Sequence, residues 1–174
     1  LVSDGGVLSH INHLFGLLDA ANDFGLNDIF VHAFTDGRDV DPKSGAGHID
    51  NLVKHIANSP AKLASVIGRY YAMDRDKRWE RVKKAYDLVV KGIGMPSRNA
   101  VLSIADSYIN DVTDEFIDPI VMVHDDNKPV ATINEGDVVI FFNFRTDRGR
   151  QLTEVLSQVD LPEFGMEKLD LNYV

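Results

Sequence analysis

The sequence predicts an α/β fold, a layered α/β sandwich around a mainly parallel central sheet. Short apolar and β-branched runs alternate with segments of helical periodicity along the whole chain. Glycine and proline punctuate the joins. The run Asp137 to Phe144 (DVVIFFNF) is apolar almost throughout, as a central strand covered on both faces requires.

The elements follow in order. Leu1 to Ser3 reads as a short strand that ends in Asp4-Gly5-Gly6, where paired glycines permit a tight turn. Ser9 is the expected N-cap of a helix to Phe24, with Ile11, Leu14, Phe15, Leu17, Leu18 and Ala21 as its apolar stripe and Gly25 as its stop. Asp28 to Thr35 is a buried strand, and a helical period returns near His48 to Ala57. Leu63 to Tyr71 reads as a third strand, followed by an amphipathic helix from Arg75 to Lys91 that Gly92 to Pro96 terminates. Asn99 to Asn110 is a further helix, capped by Ser97 or Asn99, and Ile117 to Val123 a short strand. Lys128 to Thr132 suits a small edge strand, Asp137 to Phe144 the central strand, and Asp147 to Leu156 the last helix.

Composition fits one globular domain over residues 1–174, since 44% hydrophobic residues supply a sizeable core. A net charge of −9 argues against nucleic acid or an anionic membrane as the main partner. The absence of cysteine excludes disulfides and thiolate metal sites. No apolar stretch has the length of a membrane span and no signal-peptide pattern is present, so a cytoplasmic location is expected. The chain opens inside a strand-like run without methionine and closes without a polar tail, which predicts a segment of a longer protein.

Against that acidic background, arginines cluster beside carboxylates at the ends of predicted strands. Asp36-Gly37-Arg38-Asp39 follows one strand, Gly68-Arg69 ends another, and Arg75 lies a turn beyond. Arg145 and Arg148 follow the central strand, three apart and so on one face of the expected helix. Ligands of open α/β sheets bind outside the carboxyl ends of strands. Guanidinium groups match phosphate and carboxylate oxygens there, so a small, highly charged anion is the expected ligand. Asp39 is suited to accept hydrogen bonds from ligand hydroxyls. Lys77, Arg78 and Arg150 read as solvent-facing charges. Ser3, Ser9 and Thr35 have no nearby base that would make a nucleophile, so no catalytic residue is expected in the chain. Asp4, His10 and His13 admit a metal reading, but local hydrogen bonding is favoured because no glutamate completes a zinc-type motif.

Four segments, SDGGV with SHINH, HAFTDGRDVDPKSG, IGRYYAMDRDKRWERV and GDVVIFFNFRTDRGRQL, resemble the cofactor-independent phosphoglycerate mutases, in that family's order and across nearly the whole chain. The resemblance implies a two-domain isomerase that interconverts 3-phosphoglycerate and 2-phosphoglycerate in glycolysis. It implies that this chain is the inserted substrate-holding (phosphotransferase) domain, inactive alone. A phosphatase-like domain outside the chain then carries a serine nucleophile and two manganese ions. By motif match, Arg38 and Asp39 hold the glycerate, while Arg69, Arg75, Arg145 and Arg148 hold phosphate and carboxylate. The family pattern reads S-D-G-G-V-H-S-H, and Leu8 stands where its first histidine, a substrate contact, belongs. Leucine neither donates a hydrogen bond nor carries a proton. Two other readings remain: a free-standing phosphate-ester binding module, and a metal-dependent hydrolase built on Asp4, His10 and His13.

Overall fold

The computed structural model describes all of residues 1–174. Its central sheet has four strands in the order β1-β2-β4-β3, namely β1 (Phe30–Thr35), β2 (Lys62–Gly68), β4 (Ile120–Met122) and β3 (Met95–Ser97). β1 and β2 run parallel, as do β3 and β4, while β4 is antiparallel to β2. The mainly parallel sandwich is therefore present.

Alternation along the strands divides the core between two faces. Val31, Ala33, Val66, Ile120 and Met122 point to the side covered by helices α1 (Ile11–Asp23), α2 (Gly45–Ile56) and α5 (Ala100–Ile109). Phe34, Ile67 and Val121 point to the side covered by α4 (Trp79–Lys91) and α6 (Arg150–Ser157). A four-residue helix, α3 (Arg69–Ala72), continues directly from β2.

Several elements depart from the sequence expectation, each for a local reason. Leu1 to Ser3 forms no strand, because only the Val2 N–H reaches β1, donating to the Phe34 carbonyl at 2.9 Å. The Ser9 hydroxyl donates to the Leu1 carbonyl at 2.6 Å, so His10 caps α1 instead, its Nδ1 accepting from the Asn12 N–H. The third strand stops at Gly68 because Arg69 turns helical. The next helix starts at Trp79 rather than Arg75, since the Asp74 carboxylate captures the N–H groups of Asp76 and Arg78 in a turn. Met95 to Ser97, read as a helix stop, is strand β3; with only β4 beside it, this edge strand tolerates Pro96. The expected edge strand at Lys128 to Thr132 reduces to a single bridge between Val123 and Pro129, because Pro129 has no N–H to extend it.

The largest departure concerns Asp137 to Phe144. Only β5 (Val138–Val139) is ladder-paired, parallel to β6 (Asn172–Tyr173), in a sheet separate from the central one. Val138, Ile140 and Phe144 are exposed rather than covered on both faces. The run and β1 (Phe30, His32, Phe34) both line a cavity of about 1050 Å³, so the run meets the central sheet only through side chains such as Phe141, whose ring lies 5.8 Å from that of Phe34, and not through a ladder. His32 faces this cavity, bonded through Nδ1 to Ser65 Oγ at 2.7 Å, and burial lowers its pKa to about 4.

What positions the site is a 3-10 turn, Asp114–Phe116, threaded between the ends of β1, β2 and α2. Three glycines make room for it. A Cβ on Gly37 would stand 2.8 Å from the Glu115 nitrogen, one on Gly45 2.4 Å from Asp114 Oδ1, and one on Gly68 2.3 Å from the Glu115 carbonyl oxygen. Gly68→Ala is therefore expected to cost about 1–3 kcal/mol by forcing backbone apart. Gly16→Ala, on the exposed face of α1 with nothing within 4 Å, is expected to gain about 0.5–1 kcal/mol. Urea denaturation of both variants checks the contrast, and equal effects would contradict the packing described.

Candidate functional site

The parallel register aligns Thr35 with Gly68, so the residues that follow them, Asp36 and Arg69, leave the sheet side by side. The Arg69 guanidinium donates through Nη1 to Asp36 Oδ1 at 2.6 Å and to Asp39 Oδ2 at 2.7 Å. Both Arg69 and Asp36 are buried. Asp36 also accepts the Ser3 hydroxyl at 2.7 Å and the N–H groups of Arg38 and Asp39, which folds the Asp36-Gly37-Arg38-Asp39 loop around it. Burial pushes the Asp36 carboxyl up, but the Asp39 N–H, the Ser3 hydroxyl and Arg69 outweigh it and hold the group below the usual carboxylate range. Burial likewise opposes charge on Arg69, and its bonds to Asp39 and Asp36 reverse that, raising its pKa. The pair is a fixed, fully ionised anchor.

Beyond Arg69 opens a pocket of about 350 Å³ at the carboxyl ends of β1 and β2. Arg38, Arg69, Arg75, Arg78, Arg81 and Arg148 line it against only three carboxylates, Asp74, Asp76 and Glu115. The excess of positive charge leaves a mark on Arg148. Burial first, then the charges of Arg75, Arg69 and Arg38, lower its pKa. Arg148 has no carboxylate within ion-pair distance and bonds only to the Met73 carbonyl, at 3.5 Å. An arginine held among arginines without a counter-ion is the physical signature of an anion site.

The pocket wall is built by the loop after α3. Buried Asp74 accepts the N–H groups of Asp76 (2.9 Å) and Arg78 (3.0 Å) and pairs with Arg78 (3.4 Å) and Arg81 (3.6 Å). Arg81 also lies 3.8 Å above the Tyr70 ring, a cation–π contact that fixes its plane. Arg75 reaches across to Asp147 at 3.4 Å, joining this loop to the one before α6.

Of the residues expected from sequence, Arg38, Arg69, Arg75 and Arg148 converge on one pocket, and Asp39 binds Arg69 beside it. Arg145 does not join them. Its guanidinium pairs with Asp147 at 3.0 Å and lines a separate depression with Arg150. The expected shared helix face is absent because α6 begins only at Arg150, after both arginines. The Leu8 side chain is buried in the core, away from the pocket, while its carbonyl accepts the N–H groups of Phe144 and Arg145 and tethers that segment. The pocket also contains Arg78, Arg81, Tyr70 and Glu115, none singled out from sequence. Arg78 reads there as a solvated helix charge, yet it is held to Asp76 at 2.5 Å on the pocket wall.

The hydroxyls of Ser3, Ser9 and Thr35 are buried and donate to Asp36, the Leu1 carbonyl and the Asp114 carbonyl. Asp4 approaches His48 at 3.5 Å rather than His10 or His13, and no group of three His, Cys, Asp or Glu side chains is placed to hold a metal ion. What the arrangement offers chemically is binding and orientation of a polyanion.

Comparison with known proteins gives a consistent picture. A family model described as BPG-independent PGAM N-terminus matches residues 1–174. The 2,3-bisphosphoglycerate-independent phosphoglycerate mutase of Flavobacterium psychrophilum is 70% identical over 174 residues, covering 100% of this chain and 34% of that protein. That of Parabacteroides distasonis is 57% identical over 169 residues, covering 97% and 33%. A crystal structure of Leishmania mexicana phosphoglycerate mutase at low cobalt concentration superposes with a TM-score of 0.91 at 32% identity, covering 99% of this chain and 33% of that one. The chain thus spans about a third of the length of these relatives.

Asp36→Asn tests the anchor. At neutral pH it is expected to cost about 3 kcal/mol, since buried Arg69 loses one of its two counter-charges. The folded-state pKa of Asp36 lies below its unfolded value, so its contribution is present above about pH 4 and is lost as pH falls through the folded value. The gap between the two proteins in urea midpoints should therefore narrow below pH 4. A gap that widens on acidification would contradict this.

Proposed function

This chain belongs to the family of BPG-independent phosphoglycerate mutase N-terminal segments, and on that premise we propose that it holds the substrate of such a mutase. The observation that carries the proposal is the pocket itself: six arginines at the strand ends of a chain whose net charge is −9, with Arg148 lacking any carboxylate partner. The ligand is 3-phosphoglycerate or 2-phosphoglycerate, whose carboxylate and phosphate suit separate guanidinium groups.

In this reading Arg69 and Arg38 line one side of the pocket and Arg75 and Arg148 the other, with Asp39 placed to accept from a glycerate hydroxyl. Arg145, outside the pocket, would contact ligand only after moving from Asp147. In the full-length isomerase, the phosphoryl group leaves one glycerate oxygen for a nucleophile outside this chain and returns to the neighbouring oxygen. By the family resemblance, two manganese ions held in the remainder of the protein would supply charge stabilisation for that transfer. The residues of this chain do not form a set that fits a metal, so its own contribution is retention. Several charge-assisted bonds hold the small acid in place and in register between the two transfers, where free glycerate would diffuse away. No feature of the site favours a free-standing phosphate-ester module over this role.

Calorimetric titration of the chain with 3-phosphoglycerate tests the proposal. Binding is expected to weaken steeply with salt and to fall about tenfold or more in Arg148→Ala, the loss of one charge-assisted contact. Arg150→Ala, an exposed arginine outside the pocket, should leave it unchanged. No binding, or equal loss in both variants, would contradict the assignment.

A further inference from the structure

Two strand edges face each other across the large cavity between β1 and the Asp137 to Phe144 run. On the run, Val139 and Phe141 turn their backbone to β6 and its successor. The Val139 carbonyl accepts the Val174 N–H, and the Phe141 N–H donates to the Val174 carbonyl, both at 2.8 Å. Alternation turns the peptide groups of Ile140 and Phe142 the opposite way, and they meet no partner in the chain. On β1, the Phe34 carbonyl accepts the Val2 N–H, and alternation places the peptide groups of His32 and Phe30 on that same edge. Two unpaired edges flanking one apolar cavity are a template for a single further strand.

Leu1 stands at the head of this slot. It lines the cavity, is only 3% exposed, and its amino group donates to Asn143 Oδ1 at 2.9 Å. Burial lowers the pKa of that amine to about 5, a cost that a peptide N–H at the same place does not carry. Leu1 to Ser3 already runs in the direction of β1. Val2 bonds Phe34, and Ser3 bonds Asp36 just beyond the strand's end. Polypeptide continued backward from Leu1 therefore enters the cavity, between the edges of β1 and the run. Val174 instead lines the depression beside Arg145 and Arg150. This chain covers 34% of its Flavobacterium psychrophilum relative, so a full-length protein of that length has polypeptide to supply the strand.

We propose that the residues immediately preceding Leu1 in the full-length protein form a parallel β-strand in this cavity, joining β1 to the Asp137 to Phe144 run in one sheet. About five residues, the length of an ordinary strand, span the edge of β1. The lining of Phe30, Phe34, Phe141, Leu152 and Leu156 selects apolar side chains for it. With that strand in place, the run gains the second neighbour that its near-continuous apolar sequence suits. The joint also fixes the segment that leads to Arg148 relative to the loop that carries Arg38, the two sides of the arginine pocket.

Hydrogen–deuterium exchange on the full-length protein tests this. Amides of the residues just before Leu1, of Phe30 to His32 and of Ile140 to Phe142 should all be protected. In a variant whose preceding residues, about ten, are replaced by a Gly/Ser sequence of equal length, Ile140 to Phe142 should exchange about tenfold faster or more, while α5 is unchanged. Rapid exchange just before Leu1 in the native protein overturns the proposal. Protection of Ile140 to Phe142 that survives the replacement also overturns it, and assigns the cavity to the segment after Val174 or to a second copy. Should the replaced protein fail to fold by circular dichroism, cross-linking decides. Ile140→Cys, at an exposed side chain, is paired in turn with a cysteine at each of about five positions before Leu1. One position should form a disulfide on mild oxidation, and none doing so overturns the proposal.

Discussion

The site depends on one buried ion pair placed by strand register. Parallel pairing sets Thr35 beside Gly68, and the next residues, Asp36 and Arg69, meet at 2.6 Å. A buried guanidinium with two carboxylates and a buried carboxylate with three further donors are individually costly and jointly satisfied. Because Asp36 also gathers the N–H groups of Arg38 and Asp39, the same pair shapes the loop that carries the neighbouring polar side chains. Sheet geometry is thereby converted into the position of a cationic edge.

The second constraint is steric. The Asp114–Phe116 turn fits only because Gly37, Gly45 and Gly68 present no Cβ to it, and it brings Glu115 to a pocket made otherwise by residues from the loop after β1, α3, the loop after α3, α4 and the segment before α6. Positive charge concentrated there is unusual for a chain with 27 acidic and 18 basic residues, and Arg148, its pKa lowered by burial first and then by Arg75, Arg69 and Arg38, stands within it without a carboxylate partner. A local cationic field within an acidic protein favours small anions over large polyanions, which meet the overall repulsion first.

The α/β class and most helices were legible because hydrophobic period and punctuation agree with the final packing, as in α5, where Asn99 caps through the Leu102 N–H as its sequence position suggests. Arg38, Arg69 and Arg148 were legible because each follows an apolar run. Arg78 and Arg81 were not, since a helix-face charge and a pocket charge look alike until Asp74 folds the preceding loop. Glu115 gave no local signal, because its place on the pocket wall comes from three glycines distant in sequence. The apolar run Asp137 to Phe144 misled for a related reason: apolarity reports an apolar environment, here the wall of a cavity, and not a place in the ladder.

Where a phosphoglycerate sits on this chain decides the role of the arginine pocket. A crystal structure of this chain with 3-phosphoglycerate should show ligand anionic oxygens about 3 Å from the Arg69 and Arg148 guanidinium nitrogens, with the Asp36–Arg69 pair unbroken. Ligand found instead against Arg145 and Arg150, with Arg148 still bonded only to the Met73 carbonyl, would contradict it.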